Sequence, residues 1–101
     1  MTLEEFARQL KLDPRVREVR LIGSARSAKP PKLKHDIDLA IILHKNAIKD
    51  EAGLDDFLND YFDTHVYFGG YKLPVDLWLY SPDIPGDEYI NKIVLGPHTR
   101  L

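Results

Sequence analysis

Residues 36–43, DIDLAIIL, leave few folds open to this chain. Ile37, Leu39, Ile41 and Leu43 fall on one side of an alternating pattern; Asp36, Asp38, Ala40 and Ile42 fall on the other. A repeat of two is the signature of a β-strand. A strand with one continuous apolar face must be covered by other elements, so a sheet with a packed layer is required. The chain has 101 residues, which is room for one domain spanning 1–101.

The remaining elements follow from local pattern. Thr2 and Glu5 have the spacing of a capping box, and Leu3, Phe6, Ala7 and Leu10 then repeat along one helical face. Asp13-Pro14 ends that helix. Val16–Ile22 is rich in β-branched residues and reads as a strand closed by Gly23-Ser24. Residues 25–35 are small and basic with a Pro-Pro pair, and read mostly as loop. A helix is expected over 49–62, where Leu54, Phe57, Leu58, Tyr61 and Phe62 recur at helical spacing and six acidic residues from Asp50 to Asp63 line the wet side. His65–Phe68 reads as a short strand before Gly69-Gly70, 75–80 as another strand, and 87–94 as a short terminal helix. Tyr67, Phe68 and Tyr71 around the two glycines suggest an aromatic hairpin, a candidate interface if exposed. The order predicts an α/β fold: a small mixed β-sheet with helices packed on one face.

Composition narrows the function classes. Hydrophobic residues make up 44% and the net charge is −2, which is too apolar and too neutral for a disordered chain. The longest apolar run, 39–43, is too short to cross a membrane, and the acidic amphipathic start does not read as a signal peptide. There is no Cys, so disulfides, thiolate zinc sites and cysteine nucleophiles are excluded, and a reducing cytoplasm is the expected compartment. Charge is uneven: residues 1–35 hold nine Lys or Arg against four Asp or Glu, and residues 36–101 hold five against twelve. Such a chain is no general nucleic-acid coat, but its basic half can hold a phosphate-bearing ligand.

Asp36 and Asp38 are the first candidate site. Two residues apart on a strand, they share a side, with Cα atoms about 6.5–7 Å apart. Their charges repel and raise each other's proton affinity unless a cation lies between them. Mg²⁺ or Mn²⁺ suits such oxygen donors. The plain alternative for an isolated Asp-x-Asp is two solvated carboxylates at a strand end. Asp76 repeats the pattern on a second strand, opposite the apolar Val75, Leu77 and Leu79. If the two strands are neighbours, three carboxylates meet on one face. Gly23-Ser24 at a strand end can offer backbone N–H groups and a hydroxyl to a phosphate, although Gly-Ser also marks ordinary turns. Arg26, Lys29, Lys32 and Lys34 follow and can attract a polyphosphate, or form a solvated basic loop. His35 reads as a loop histidine, the alternative being a group that titrates beside the metals; His44, His65 and His98 lack metal-ligand spacing to one another and read as surface or satisfied residues. Trp78 and Tyr80 share the face of Asp76 and are expected to pack under the C-terminal segment or flank a ligand.

The order strand, Gly-Ser, eleven residues, Asp-x-Asp on a strand, helix, Asp on a strand resembles the DNA polymerase β-like nucleotidyltransferase superfamily. LIGSARSAKPPKLKHDIDLAIIL carries the resemblance, with VDLWLY supplying the third carboxylate. By size the chain is similar to the minimal nucleotidyltransferases, often paired with a HEPN-domain protein. The resemblance implies a nucleotidyltransferase fold. It implies that Gly23, Ser24 and Arg26 bind the nucleoside triphosphate, although Arg26 falls between the two arginine positions usual in the family. It implies that Asp36, Asp38 and Asp76 are catalytic and hold two Mg²⁺ ions, with Mn²⁺ as a substitute. The implied reaction moves a nucleoside monophosphate, AMP from ATP or another nucleoside triphosphate, onto a hydroxyl. The implied acceptor is a protein such as a HEPN toxin, which would make this chain an antitoxin. The alternative is a non-catalytic module that neutralises or scaffolds a partner by contact. A weaker third reading is nucleic-acid binding through 15–34, which holds seven Lys or Arg and one Glu.

Overall fold

A computed structural model describes residues 1–23 and 36–101. Helix α1 is Leu3–Leu12 and strand β1 is Val16–Ile22; β2 is Ile37–Leu43 and α2 is Glu51–Asp60. They are followed by β3 (His65–Phe68), β4 (Tyr71–Tyr80), α3 (Glu88–Val94) and β5 (Thr99–Arg100). The expected loop over 25–35 lies outside the described residues.

α1 begins where its capping box predicts. The Glu5 N–H donates to Thr2 Oγ1 at 3.2 Å, and the Thr2 N–H donates to Glu5 Oε1 at 3.1 Å. Such a cap stabilises a helix by about 1 kcal/mol. Its apolar face, Leu3, Phe6, Ala7 and Leu10, is buried. The Asp13 carboxylate, just past the helix, accepts from Arg15 Nε at 2.9 Å and from Tyr61 Oη at 2.6 Å. The Arg15 guanidinium also lies 4.5 Å from the Phe57 ring centre. One carboxylate thus ties the start of β1 to α2.

The five strands form one mixed sheet in the order β3-β4-β2-β1-β5. β1 pairs antiparallel with β2, β2 parallel with β4, and β3 antiparallel with β4. The β3–β4 connection is Gly69-Gly70, with φ of 59° and 84°. Positive φ at both centres is what a tight two-residue hairpin demands, and glycine adopts it without a Cβ clash. The expected aromatic hairpin is present, with Tyr67 and Tyr71 exposed. The bond partner of β1 on its far side, β5, is too short to carry a sequence pattern.

β2 lies at the centre of the sheet. Its residues Ile37, Leu39, Ile41 and Leu43 are fully buried in a core shared with α1 and with Phe57 of α2. The expectation that all helices share one face is corrected here. α3 packs on the opposite face, where Val94, Ile90 and Ile93 meet Ile22, Ala40, Ile42, Trp78 and Tyr80. The cause lies in the strands: Ala40 and Ile42 make the second face of β2 apolar towards its C-terminal end, so it needs a cover too. Asp36 and Asp38 stand at the opposite, N-terminal end of β2. No described helix is long and apolar enough to cross a membrane.

Candidate metal and nucleotide site

The site is built by register. β2 and β4 run side by side and parallel, and Asp38 is the cross-strand partner of Asp76. Neighbouring strands are about 4.8 Å apart, and in-register residues of a parallel pair project to the same face. Asp36 lies two residues before Asp38, at the mouth of β2. Asp36 and Asp76 are exposed and Asp38 is half-buried. The three carboxylates therefore meet at one end of one face. β1 runs antiparallel to β2, so its end arrives beside the start of β2, with Ile22 opposite Asp38 and Gly23 next.

Gly23 is required twice. Its φ is +73°, and a Cβ built there would lie 2.8 Å from Asp38 Oδ2. A side chain would be strained and would collide with the carboxylate. The glycine thus makes room for Asp38 as well as leaving the backbone accessible.

Asp38 Oδ1 accepts a hydrogen bond from Trp78 Nε1 at 3.3 Å. The sequence puts Trp78 on the face of Asp76, under the C-terminal segment or beside a ligand, but does not pair it with Asp38. The one signal was parity, since Trp78 lies two residues beyond Asp76 on the same strand face. The indole body packs in the cluster under α3 while its N–H reaches the carboxylate.

Electrostatics follow the geometry. Partial desolvation, hydrogen bonding with Asp36 and the charges of Asp36 and Asp38 hold the Asp76 carboxyl above its usual range. A like-charge cluster of this kind favours either a bound proton or a bound cation. The donors are all carboxylate oxygens, which fit a hard divalent ion. Among the described residues, no three ionisable ligands are already drawn around one ion position; the carboxylates stand at strand spacing.

A cleft of about 460 Å³ opens beside Asp76, bounded by Phe62, Thr64, Pro74 and Trp78. Of the expected site residues, Gly23, Asp36, Asp38 and Asp76 are brought together. Ser24 and Arg26 lie outside the described residues, as do Lys29, Lys32, Lys34 and His35. His44 and His98 are exposed, and His65 is half-buried near Asp63. Comparison of the chain with protein-family models, curated proteins and solved structures finds no match in any of the three.

Proposed function

We propose that this chain is a divalent-metal-dependent nucleotidyltransferase of the polymerase β-like type, moving AMP from ATP onto a hydroxyl. The observation that carries the reading is the β2–β4 register, which puts Asp76 opposite Asp38 with Asp36 beside them and Gly23 against the same carboxylate. Asp36, Asp38 and Asp76 would hold Mg²⁺. Bound there, the ion would offset charge on the triphosphate and on the attacking and leaving oxygens.

The chain's own groups have simple tasks. Asp36 and Asp38 fix the triphosphate's counter-charge, and Trp78 keeps Asp38 in one orientation. Gly23 leaves the end of β1 open for close approach. The acceptor oxygen forms a bond to the α-phosphorus, the bond from that phosphorus to the bridging oxygen breaks, and pyrophosphate leaves. Asp76 would help activate the attacking hydroxyl and take up its proton. The family resemblance points to a protein acceptor, such as a HEPN-domain toxin.

The test is incubation with Mg²⁺ and α-labelled ATP together with a HEPN-domain partner, beside the Asp36→Ala/Asp38→Ala variant. Label on protein with wild type alone supports the reading. No label, with both forms neutralising the partner equally, overturns it in favour of the contact-only module.

A further inference from the structure

Among the described residues, the sheet keeps one stretch of edge open. The outer edge of β3 is met by the N-terminal residues, where Tyr67 N–H donates to Met1 O at 2.8 Å. The outer side of β1 is met by β5, and Leu101 N–H donates to Val19 O at 2.9 Å. β4 is different. β3 pairs with it only as far as Pro74, while β2 follows it to Tyr80. The Val75 N–H points to the β3 side, where it donates to Thr64 O at 3.0 Å. By strand alternation, the N–H and C=O groups of Leu77 and Leu79 point the same way. Among the described residues, no main-chain group beyond the sheet bonds to them.

This edge is the floor of a slot. α2 lies over one face of the sheet and α3 over the other. The cleft beside Asp76 continues past Leu77 and Trp78 into a second of about 290 Å³, walled by Leu54 and Leu58 of α2 and Ile90 of α3. A third continues past Leu79 to Ser81. Five residues along the slot are acidic: Glu51, Asp55, Asp63, Asp76 and Asp87. None of its described lining residues is Lys or Arg.

We propose that the open edge of β4 at Leu77 and Leu79 docks an extended, Lys- or Arg-bearing apolar segment of a partner protein, which adds there as a further strand. The main-chain groups of Leu77 and Leu79 supply directional bonds. The leucines and Trp78 take alternate side chains of the incoming strand, and the acidic rim selects its charge. A second copy of this chain is a poor occupant, because pairing edge to edge would set one acidic rim against another. The proposal does not rest on nucleotidyl transfer, and its test contains no nucleotide.

The experiment uses the full ¹⁵N-labelled chain and a blocked synthetic peptide alternating Val and Lys. The expected result is chemical-shift change at the Leu77 and Leu79 amides, with hydrogen exchange there slowed by about tenfold or more. A peptide N-methylated at alternate residues keeps its charge but cannot pair, and is expected not to bind. Glu51→Lys/Asp55→Lys alters two exposed positions and is expected to weaken the unmodified peptide by about tenfold. Equal binding of the N-methylated peptide, or shifts confined to other residues, overturns strand addition. Leu77 and Leu79 amides already protected in the free chain overturn it too. If that protection grows with protein concentration, the occupant is a second copy.

Discussion

Asp38 and Asp76 are cross-strand partners on the parallel β2–β4 pair, so two carboxylates of one sign share a single sheet position. Opposed like charges destabilise a sheet by about 0.2–1 kcal/mol. Asp76→Asn is therefore expected to raise the melting temperature of the metal-free chain while abolishing label transfer from ATP. Mg²⁺ is expected to raise the wild-type melting temperature and to leave the variant nearly unmoved. Thermal melts with Mg²⁺ and with a chelator check both. The pH sign is fixed as well. A carboxyl with folded proton affinity above the ordinary value contributes stability at low pH that is lost as pH rises through its folded pKa. In the metal-free chain this contribution is expected to disappear in Asp76→Asn.

Gly23→Ala places a Cβ 2.8 Å from Asp38 Oδ2 on a backbone with φ of +73°. The expected cost is about 1–2 kcal/mol in urea unfolding, with weakened Mg²⁺ binding because Asp38 is displaced. Gly70→Ala is the control. Its φ is +84° but nothing lies within 4 Å of the added Cβ. It is expected to carry the backbone cost and leave Mg²⁺ affinity unchanged.

Trp78 is the sole tryptophan, so its fluorescence reports directly on the carboxylate it touches. Titration with Mg²⁺ is expected to change wild-type emission, and Asp38→Asn to abolish that response. Trp78→Phe keeps an aromatic body under α3 and removes the N–H. It is expected to weaken Mg²⁺ binding by up to about tenfold, measured by calorimetry.

The Asp13 carboxylate carries a pH-dependent share of stability. The hydrogen bonds from Arg15 hold it well below the usual carboxylate range. Its contribution is fully present above the unfolded pKa of about 3.9 and is lost as pH falls through the folded value. Tyr61 titrates the other way: burial, then its bond to Asp13, pushes the phenol up to about 12. That contribution is present below about pH 10 and is lost as pH rises towards the folded value. Asp13→Asn is expected to lower stability at neutral pH by about 1–3 kcal/mol and to flatten the acid arm of a urea-unfolding profile.

Much of this architecture is legible from short-range pattern. Thr2, Glu5 and the Leu3–Phe6–Leu10 face define α1 because capping and the 3.6-residue period act within a few residues. The alternation in β2 and β4 separates Asp38 and Asp76 from the core for the same reason. α2 was expected over 49–62 and spans Glu51–Asp60, where Asp50 caps the first turn by accepting from the Gly53 N–H at 2.8 Å. Apolar spacing marked the helix, and the cap decides its start. β4 begins at Tyr71 rather than 75, because the Gly69-Gly70 turn lets Tyr71 and Leu73 pair with β3.

The sequence by itself determined which residues lie on which side of each element, because side-chain direction follows from backbone period alone. Tertiary structure decided which elements became neighbours. Asp76 is thirty-eight positions from Asp38, with α2 and the β3 hairpin between them, and nothing local sets their strands in register. That register comes from burial of Ile37, Leu39 and Ile41 against one helical layer and of Ala40 and Ile42 against α3. The Trp78–Asp38 bond, the fit of Gly23 against the carboxylate and the open edge at Leu77 and Leu79 are consequences of that packing, because each depends on distances between strands that only a folded core can hold.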